Sequence, residues 1–322
     1  MNIKKVGLTA LAGSLVAASA YAGEMSVAGS ASLNVEHING GAANSGKTFS
    51  MGNQLTFTGS GELDNGLNVS LSFILDQNDD STASYATKSD NAGTPFDSHS
   101  VTVSSDTFGS LTFHGEGGDS ATSAADTSAA GNIWDAYDIS GSITPTAVGA
   151  GNNMMTYTLP AIMDGVSIMA SYLPSGSAAE AAVGYSVTYT GVEGLSVTYA
   201  HGDGTTVGGG TDQTVMKASY AVGPVTLSAS DHSYDTAGTS ADNDMRGYKV
   251  SYTVSDELSV SYGTETIEEG TSLDVEADRL TVSYTAGGMT LSGTMDEIEN
   301  MNGTATATQD RERWALSASF AF

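Results

Sequence analysis

Alternation of apolar and small polar residues is the feature that most restricts how this 322-residue chain can fold. It recurs in segment after segment, most clearly at 67–73, 183–189, 258–262, 280–284 and 314–320. Successive side chains of a β-strand point to opposite faces, so each segment predicts a strand with one apolar and one polar face. After residue 22, the sequence contains no run of 18 apolar residues that would indicate a transmembrane helix. It also lacks the 3.6-residue period of amphipathic helices. The sequence therefore predicts an all-β protein.

The segments are joined alternately by short turns and by longer polar loops. Seven short connections are rich in Gly, Asn, Asp and Pro, which supply the backbone angles of tight hairpins. Eight longer polar stretches separate the hairpins, so fifteen connections predict sixteen strands. Short turns at one end and longer loops at the other are typical of transmembrane β-barrels. The longest loop, 117–152, follows the fifth predicted strand.

Aromatic residues decide between a membrane barrel and a soluble β-sandwich, which also shows alternation. Six aromatics share the apolar parity, each near the short-turn end of an even-numbered strand: Tyr157, Tyr189, Tyr220, Tyr252, Tyr284 and Phe320. Aromatics at one height form the interfacial girdle of a membrane barrel. In a bilayer, only helices and closed barrels satisfy every backbone polar group. We therefore predict a closed, sixteen-stranded antiparallel transmembrane barrel.

The N-terminus predicts a secretory signal peptide at residues 1–22. Lys4 and Lys5 precede an apolar run, and Ala20-Tyr21-Ala22 provides the small residues of a cleavage site. The alternative is a buried N-terminal helix. Cleavage leaves one barrel domain, 23–322, and removes two of the ten Lys and Arg residues. The mature chain then has eight Lys and Arg residues and 37 Asp and Glu residues. This acidic excess disfavours nucleic acid as a partner, because phosphate binding needs a basic surface.

Catalytic and metal-binding motifs are not recognisable in the sequence. The chain has no cysteine, and its five histidines are scattered without metal-ligand spacing. We therefore expect no enzymatic activity and no cofactor. The one metal candidate is Ca²⁺, which takes several oxygen ligands and would suit Asp76, Asp79 and Asp80 at the start of the second loop. The alternative is that these carboxylates are simply solvated.

The last strand, 314–322, alternates to its end at Phe322. With the leader, the sixteen strands and the long third loop, it makes the chain resemble the general porins of Gram-negative bacteria, especially the alphaproteobacterial, Rhodobacter-like type. The resemblance implies an outer-membrane channel, a homotrimer in lipid and lipopolysaccharide, for passive diffusion of small hydrophilic solutes and ions. It also implies that the outer-membrane assembly machinery recognises Phe322. The alternatives are a substrate-selective channel and a barrel without transport, such as an adhesin or structural protein.

In that family the third loop folds into the barrel and narrows the pore. The resemblance therefore implies that acidic and polar residues of strand five and loop three lie at the constriction: His114, Glu116, Asp119, Asp126, Asp135 and Asp138. The alternative is an external, solvated loop whose acidic residues only keep it soluble.

Strand parity predicts that five basic side chains point into the lumen: Lys217, Lys249, Arg279, Arg311 and Arg313. Facing lipid, a Lys or Arg would cost about 2–4 kcal/mol at the midplane. We hypothesise a transverse field, with acids of loop three and strand five on one side and these bases on the other. Such a field orders water and disfavours apolar solutes. The alternative is that the bases only neutralise lumen acids such as Glu265 and Asp296.

Overall fold

Sixteen antiparallel strands form a closed barrel in which β1 pairs with β16. The computed structural model describes residues 23, 25–40, 46–76, 96–137, 148–174, 181–204, 210–236, 242–270, 272–304 and 309–322. The strands are β1 (Met25–Asn39), β2 (Gly46–Glu62), β3 (Asn68–Asp76), β4 (Phe96–Ser105), β5 (Gly109–Glu116), β6 (Met154–Thr158), β7 (Val166–Leu173), β8 (Ala182–Tyr189), β9 (Leu195–Gly204), β10 (Thr211–Val222), β11 (Val225–Thr236), β12 (Asn243–Thr253), β13 (Leu258–Glu269), β14 (Val275–Ala286), β15 (Met289–Glu299) and β16 (Arg311–Ala321). The predicted strand number and antiparallel barrel are confirmed. No helix among the described residues is long and apolar enough to cross a membrane.

The barrel closes at a continuous seam between its first and last strands. Their register runs from Ser30 opposite Ala321 to Asn39 opposite Glu312. Phe322 extends this ladder, because its amide donates to the Gly29 carbonyl at 2.9 Å and the Gly29 amide donates to the Phe322 carbonyl at 2.7 Å. A Cβ on Gly29 would lie 2.4 Å from the Phe322 ring, so glycine leaves room for this aromatic side chain. The predicted role of Phe322 in assembly stays a prediction.

The outer face is apolar over the height of a bilayer. On β13, Leu258, Val260 and Tyr262 point outward from the short-turn end, and Glu268 shares their parity ten residues further on. At a rise of about 3.3 Å per residue and a tilt of about 40°, ten residues span about 25 Å. Outward charges lie towards the loop ends of the strands. Exposed Asp278 and Glu297 are register partners, and the Arg246 guanidinium binds Asp231 at 3.2 Å and Glu268 at 2.6 Å. So extensive an exposed apolar surface indicates contact with lipid.

Each aromatic of the predicted girdle lies at or near the short-turn end of its strand. Five are exposed on the outer face: Tyr189, Tyr220, Tyr252, Tyr284 and Phe320. Tyr157 is half-buried, and its hydroxyl donates to the Phe108 carbonyl at 2.5 Å. Further outward aromatics lie nearer the loop ends, among them Tyr185, Tyr199, Tyr248, Tyr262 and Trp314. These were not among the girdle residues predicted from the sequence.

Candidate pore constriction

Loop three, residues 117–152, enters and leaves the barrel through a narrow neck. Gly118 and Gly151 exchange two backbone hydrogen bonds of 3.0 and 2.8 Å where the loop departs from β5 and returns towards β6. Beyond the neck, the described part of the loop contains two short 3-10 helices, Ser123–Ala125 and Ile133–Tyr137. The structure describes the loop to residue 137 and again from 148, so Asp138 lies outside the described residues.

Inward side chains hold the first part of the loop and its return against the barrel wall. The Ala121 amide donates to the Ser171 hydroxyl of β7 at 3.0 Å. The Val148 amide donates to the Gln213 side-chain oxygen of β10 at 2.9 Å. Ser171 and Gln213 are both buried, although inward residues of an open channel would be wet. The described part of loop three therefore lies along the inner wall rather than outside the barrel.

The middle of the loop is held by a second group of polar side chains. The Lys217 ammonium donates to the Thr127 carbonyl at 2.6 Å, and the Ala129 amide donates to the Ser230 hydroxyl at 2.8 Å. Glu265 accepts from the Ser128 hydroxyl and, at 3.2 Å, from the Trp134 amide. The Arg279 guanidinium donates to the Gly131 carbonyl at 3.2 Å. Ser230 and Glu265 are among the loop contacts that parity alone did not predict.

Apolar packing fixes the end of this segment. Ile133 and Tyr137 are almost fully buried in a cluster with inward residues of several strands. These wall residues include Met245 of β12, Ile267 of β13, Val275 and Ala277 of β14, and Ile298 of β15. All have the parity that elsewhere carries small polar residues. This local loss of alternation was not used in the predictions from the sequence, and it is a signal that could have indicated an apolar segment covering the wall here.

Loop three has a wall side and a lumen side. The wall side carries buried residues such as Ser120, Ala121, Ala125 and Ser128, whereas Asp119, Thr127 and Asp135 are exposed. Asp126 is half-buried between the two sides. Burial, reinforced by the carboxylate of Asp119, raises the pKa of Asp126 to about 6, although Lys217 acts against this rise. The described part of the loop therefore presents carboxylates to the lumen.

Three of the five predicted lumen bases bind loop three or form ion pairs, namely Lys217, Arg279 and Arg313. Lys217 and Arg279 bind the loop itself, so they cannot form an opposite wall, and the transverse-field hypothesis fails for these two residues. Arg279 also binds Asp296, with nitrogen-to-oxygen distances of 2.8 and 3.0 Å. Arg313 binds the same Asp296 and, at 3.0 Å, Glu36. The alternative of bases paired with lumen acids therefore describes Arg279 and Arg313.

The other predicted lumen residues lie on three different strands, β5, β12 and β16. Arg311 is buried at the start of β16, and Lys249 is half-buried on β12 with the same parity as the buried Met245. His114 hydrogen-bonds the Thr156 hydroxyl at 3.1 Å, and Glu116 is half-buried at the end of β5.

A second part of the inner wall is not covered by the described part of the loop. Its residues have the parity opposite to that of the exposed apolar residues, so they point inward. We call it the hydroxyl wall; it comprises Ser32, Ser50, Thr56, Thr58, Ser70, Ser72, Ser100, Thr102, Thr112 and Thr156. None of these residues is buried. Among Lys and Arg, the described residues of β1–β6 include only Lys47, which shares the outward parity of exposed Phe49 and Met51. The described part of this wall therefore carries no inward Lys or Arg.

Metal binding has no support from the described side chains. No group of three or more His, Asp or Glu among the described residues could hold a metal ion. Asp76 is described, but Asp79 and Asp80 lie outside the described residues. The calcium site stays a prediction.

A closed sixteen-stranded barrel with an apolar outer face and a polar inner face defines an outer-membrane β-barrel. A family model described as Gram-negative porin matches residues 7–264, most of the chain, and this chain belongs to that family. The resemblance inferred from the sequence is confirmed, as are the outer-membrane location and the function as a channel for passive diffusion. The family and the fold are those of a channel rather than of an enzyme.

Solved porins share this fold at low sequence identity. An anion-selective porin from Comamonas acidovorans is 17% identical with a TM-score of 0.67, over 93% of this chain and 99% of that chain. A mutant of the Rh. blastica porin is 16% identical with a TM-score of 0.65, over 93% and 100%. The trimer form of OmpT from Vibrio cholerae is 14% identical with a TM-score of 0.64, over 94% and 100%. No curated protein sequence matches the chain.

Proposed function

We propose that loop three forms the constriction of the channel and that solutes pass between it and the hydroxyl wall. The observation that carries this proposal is the two-sided burial of the loop, with one side packed on the barrel and Asp119 and Asp135 exposed. A segment held inside a barrel reduces the free cross-section at its own height. A substrate-selective channel needs a convergent set of different binding groups. The hydroxyl wall offers repeated, similar groups instead, which favours passive diffusion.

The same arrangement favours cations and neutral polar solutes over anions. Loop three, 117–152, contains four Asp and no Lys or Arg. Lys217, Arg279 and Arg313 are occupied by the loop backbone or by carboxylates. Charges at the narrowest point dominate the selectivity of a pore. Net negative charge at this point attracts cations and repels anions.

Single-channel recording in a planar bilayer under a KCl gradient tests this proposal. We expect large ohmic steps and a reversal potential that indicates cation preference. Asp119→Asn with Asp135→Asn should move the reversal potential towards zero, because two lumen charges are removed. Asp64→Asn in the exposed β2–β3 turn is the matched control and should leave it unchanged. Anion preference in the unmodified channel, or equal effects of both variants, would contradict the proposal.

We propose, in addition, that three copies assemble through the outer face of β1–β5. The described residues of these strands contain no Tyr or Trp, whereas β6–β16 carry eleven on the outward parity. Tyr and Trp concentrate where barrels meet the membrane–water interface. The outward aromatics of β1–β5 are Phe, and Phe57 and Phe73 stack at 4.7 Å. A face without interfacial aromatics suits contact with other copies.

Light scattering in mild detergent tests the assembly. We expect a mass of three chains for the unmodified protein. Phe57→Ala with Phe73→Ala should shift the mass towards one chain, and Tyr248→Ala on the outer face of β12 is the control. A trimer that resists the first change as well as the second would place the interface elsewhere. Contacts with lipopolysaccharide and with the assembly machinery stay predictions.

A further inference from the structure

We propose that Lys217, Ser230, Glu265 and Arg279 form a clasp that positions residues 127–134 of loop three and thereby sets the largest solute that the channel admits. The inference rests on the proposed role of loop three as the constriction. The clasp residues need no contact with a solute, because they act through the loop that they hold. They are therefore positioning residues.

For three of the four clasp residues, the order on the wall matches the order of their partners along the loop. Lys217 on β10 binds Thr127, and Ser230 on β11 binds Ala129. Arg279 on β14 binds Gly131. Glu265, on β13, departs from this order, because it binds both Ser128 and Trp134, one on each side of Ala129 and Gly131. Four strands thus hold eight consecutive loop residues, and most of the groups they bind are backbone amides and carbonyls.

Two wall glycines give the loop the space to approach this closely. A Cβ on Gly247 of β12 would lie 3.1 Å from the Ser128 Cβ and 3.2 Å from the Ala129 nitrogen. On Gly263 of β13, a Cβ would lie 3.2 Å from the Ala130 Cβ. β12 contributes no hydrogen bond to the described part of the loop, but its glycine lies between the polar residues of β11 and β13. The wall is therefore shaped to hold the loop as well as polar enough to bind it.

The clasp explains why a channel that prefers cations nevertheless has basic side chains in its lumen. Lys217 and Arg279 donate hydrogen bonds to loop carbonyls, so their charged groups bind the loop in a place from which water is partly excluded. Lys249 lies between them on β12 with the same inward parity, yet it makes no hydrogen bond to the described part of loop three. Lys249 is therefore a natural control, because it is an inward base without a hydrogen bond to the described part of the loop.

Liposome swelling with sugars of increasing size tests the clasp. Lys217→Met with Arg279→Met should raise the rate for a trisaccharide, relative to that for a monosaccharide, several-fold. Ser230→Ala should raise this ratio less, and it provides a readout if the double variant does not assemble. Lys249→Met should leave the ratio unchanged. A trisaccharide ratio that stays at the unmodified value in both clasp variants would overturn the proposal.

A disulfide separates loop position from loss of charge. The chain has no cysteine, and Ala130→Cys with Gly263→Cys places two Cβ atoms near the separation that a disulfide requires. In the Lys217→Met, Arg279→Met background, the oxidised form should restore the unmodified ratio and the reduced form should not. Failure of the oxidised form to restore it would also overturn the clasp. If the Asp119→Asn, Asp135→Asn variant still changes selectivity in that case, loop three remains the constriction and only the clasp is wrong.

Discussion

The two parts of the inner wall differ in what covers them. The hydroxyl wall of β1–β6 consists of Ser and Thr residues, none of which is buried. On β10–β15, inward Gln213, Val215, His232, Met245 and Ile298 are fully buried under loop three or beside it. Both surfaces belong to one barrel and follow the same alternation of faces. The difference shows that inward parity alone does not make a residue part of the solute path.

The covered wall also differs in its charges. Asp296, whose side chain is completely buried, joins Arg279 and Arg313, and Arg313 continues the network to Glu36. Polar contacts on the hydroxyl wall are neutral pairs such as the Thr102 and Thr112 hydroxyls at 2.9 Å. The charged network contributes to stability and loop position, whereas the neutral pairs leave a smooth, wet surface.

The largest expected effect is the loss of unfolding free energy when the charged network is broken. Asp296→Ala leaves two guanidinium groups without their shared carboxylate, and breaking such a pair costs about 3–5 kcal/mol. Thr112→Val on the hydroxyl wall removes one neutral hydrogen bond and should cost about 0.5–1.5 kcal/mol. Urea unfolding in detergent micelles, followed by tryptophan fluorescence, measures both. Equal losses would show that the two walls do not differ energetically.

A smaller effect is expected where the loop packs on the covered wall. Ile133→Ala truncates a fully buried side chain, and such a change costs about 2–5 kcal/mol. We expect this loss to weaken the packing of the loop on the wall rather than the stability of the barrel. Hydrogen exchange of the amides between 121 and 137 should become faster. Ile74→Ala, an inward residue of β3 that is only half-buried, is the matched control. Slow loop exchange in the Ile133 variant would mean that the clasp alone holds the loop.

The smallest expected effect is a change of selectivity with pH. The pKa of Asp126 is about 6, so this carboxylate is charged above that pH and neutral below it. Acidification from pH 7.5 to 5 should therefore weaken cation preference, measured as the reversal potential in a KCl gradient. The Asp126→Asn variant isolates this carboxylate and should show a smaller shift than the unmodified channel. An equal shift in the variant would assign the effect to another group.

The strand pattern was predictable because it is local. Alternation assigns a face to each residue from its immediate neighbours, and lipid penalises a charge on the wrong face. The sixteen strands followed from the alternation and the turns and are confirmed, and the resemblance to the porin family is confirmed as well. The inward parity of Lys217, Arg279 and Arg313 was equally local and agrees with their contacts. Glu265 was recognised as a lumen acid, but its contact with loop three was not.

The barrel, its two faces and the acidic character of the third loop can be read from the amino-acid sequence alone. The part of the inner wall that the loop covers, and the residues that hold it there, are visible only in the folded protein. The physical reason is distance along the chain: Ser128 and Glu265 are 137 residues apart, Gly131 and Arg279 are 148 apart, and Glu36 and Arg313 are 277 apart. These contacts exist only once the barrel has closed, because closure brings the strands of β10–β16 around the loop.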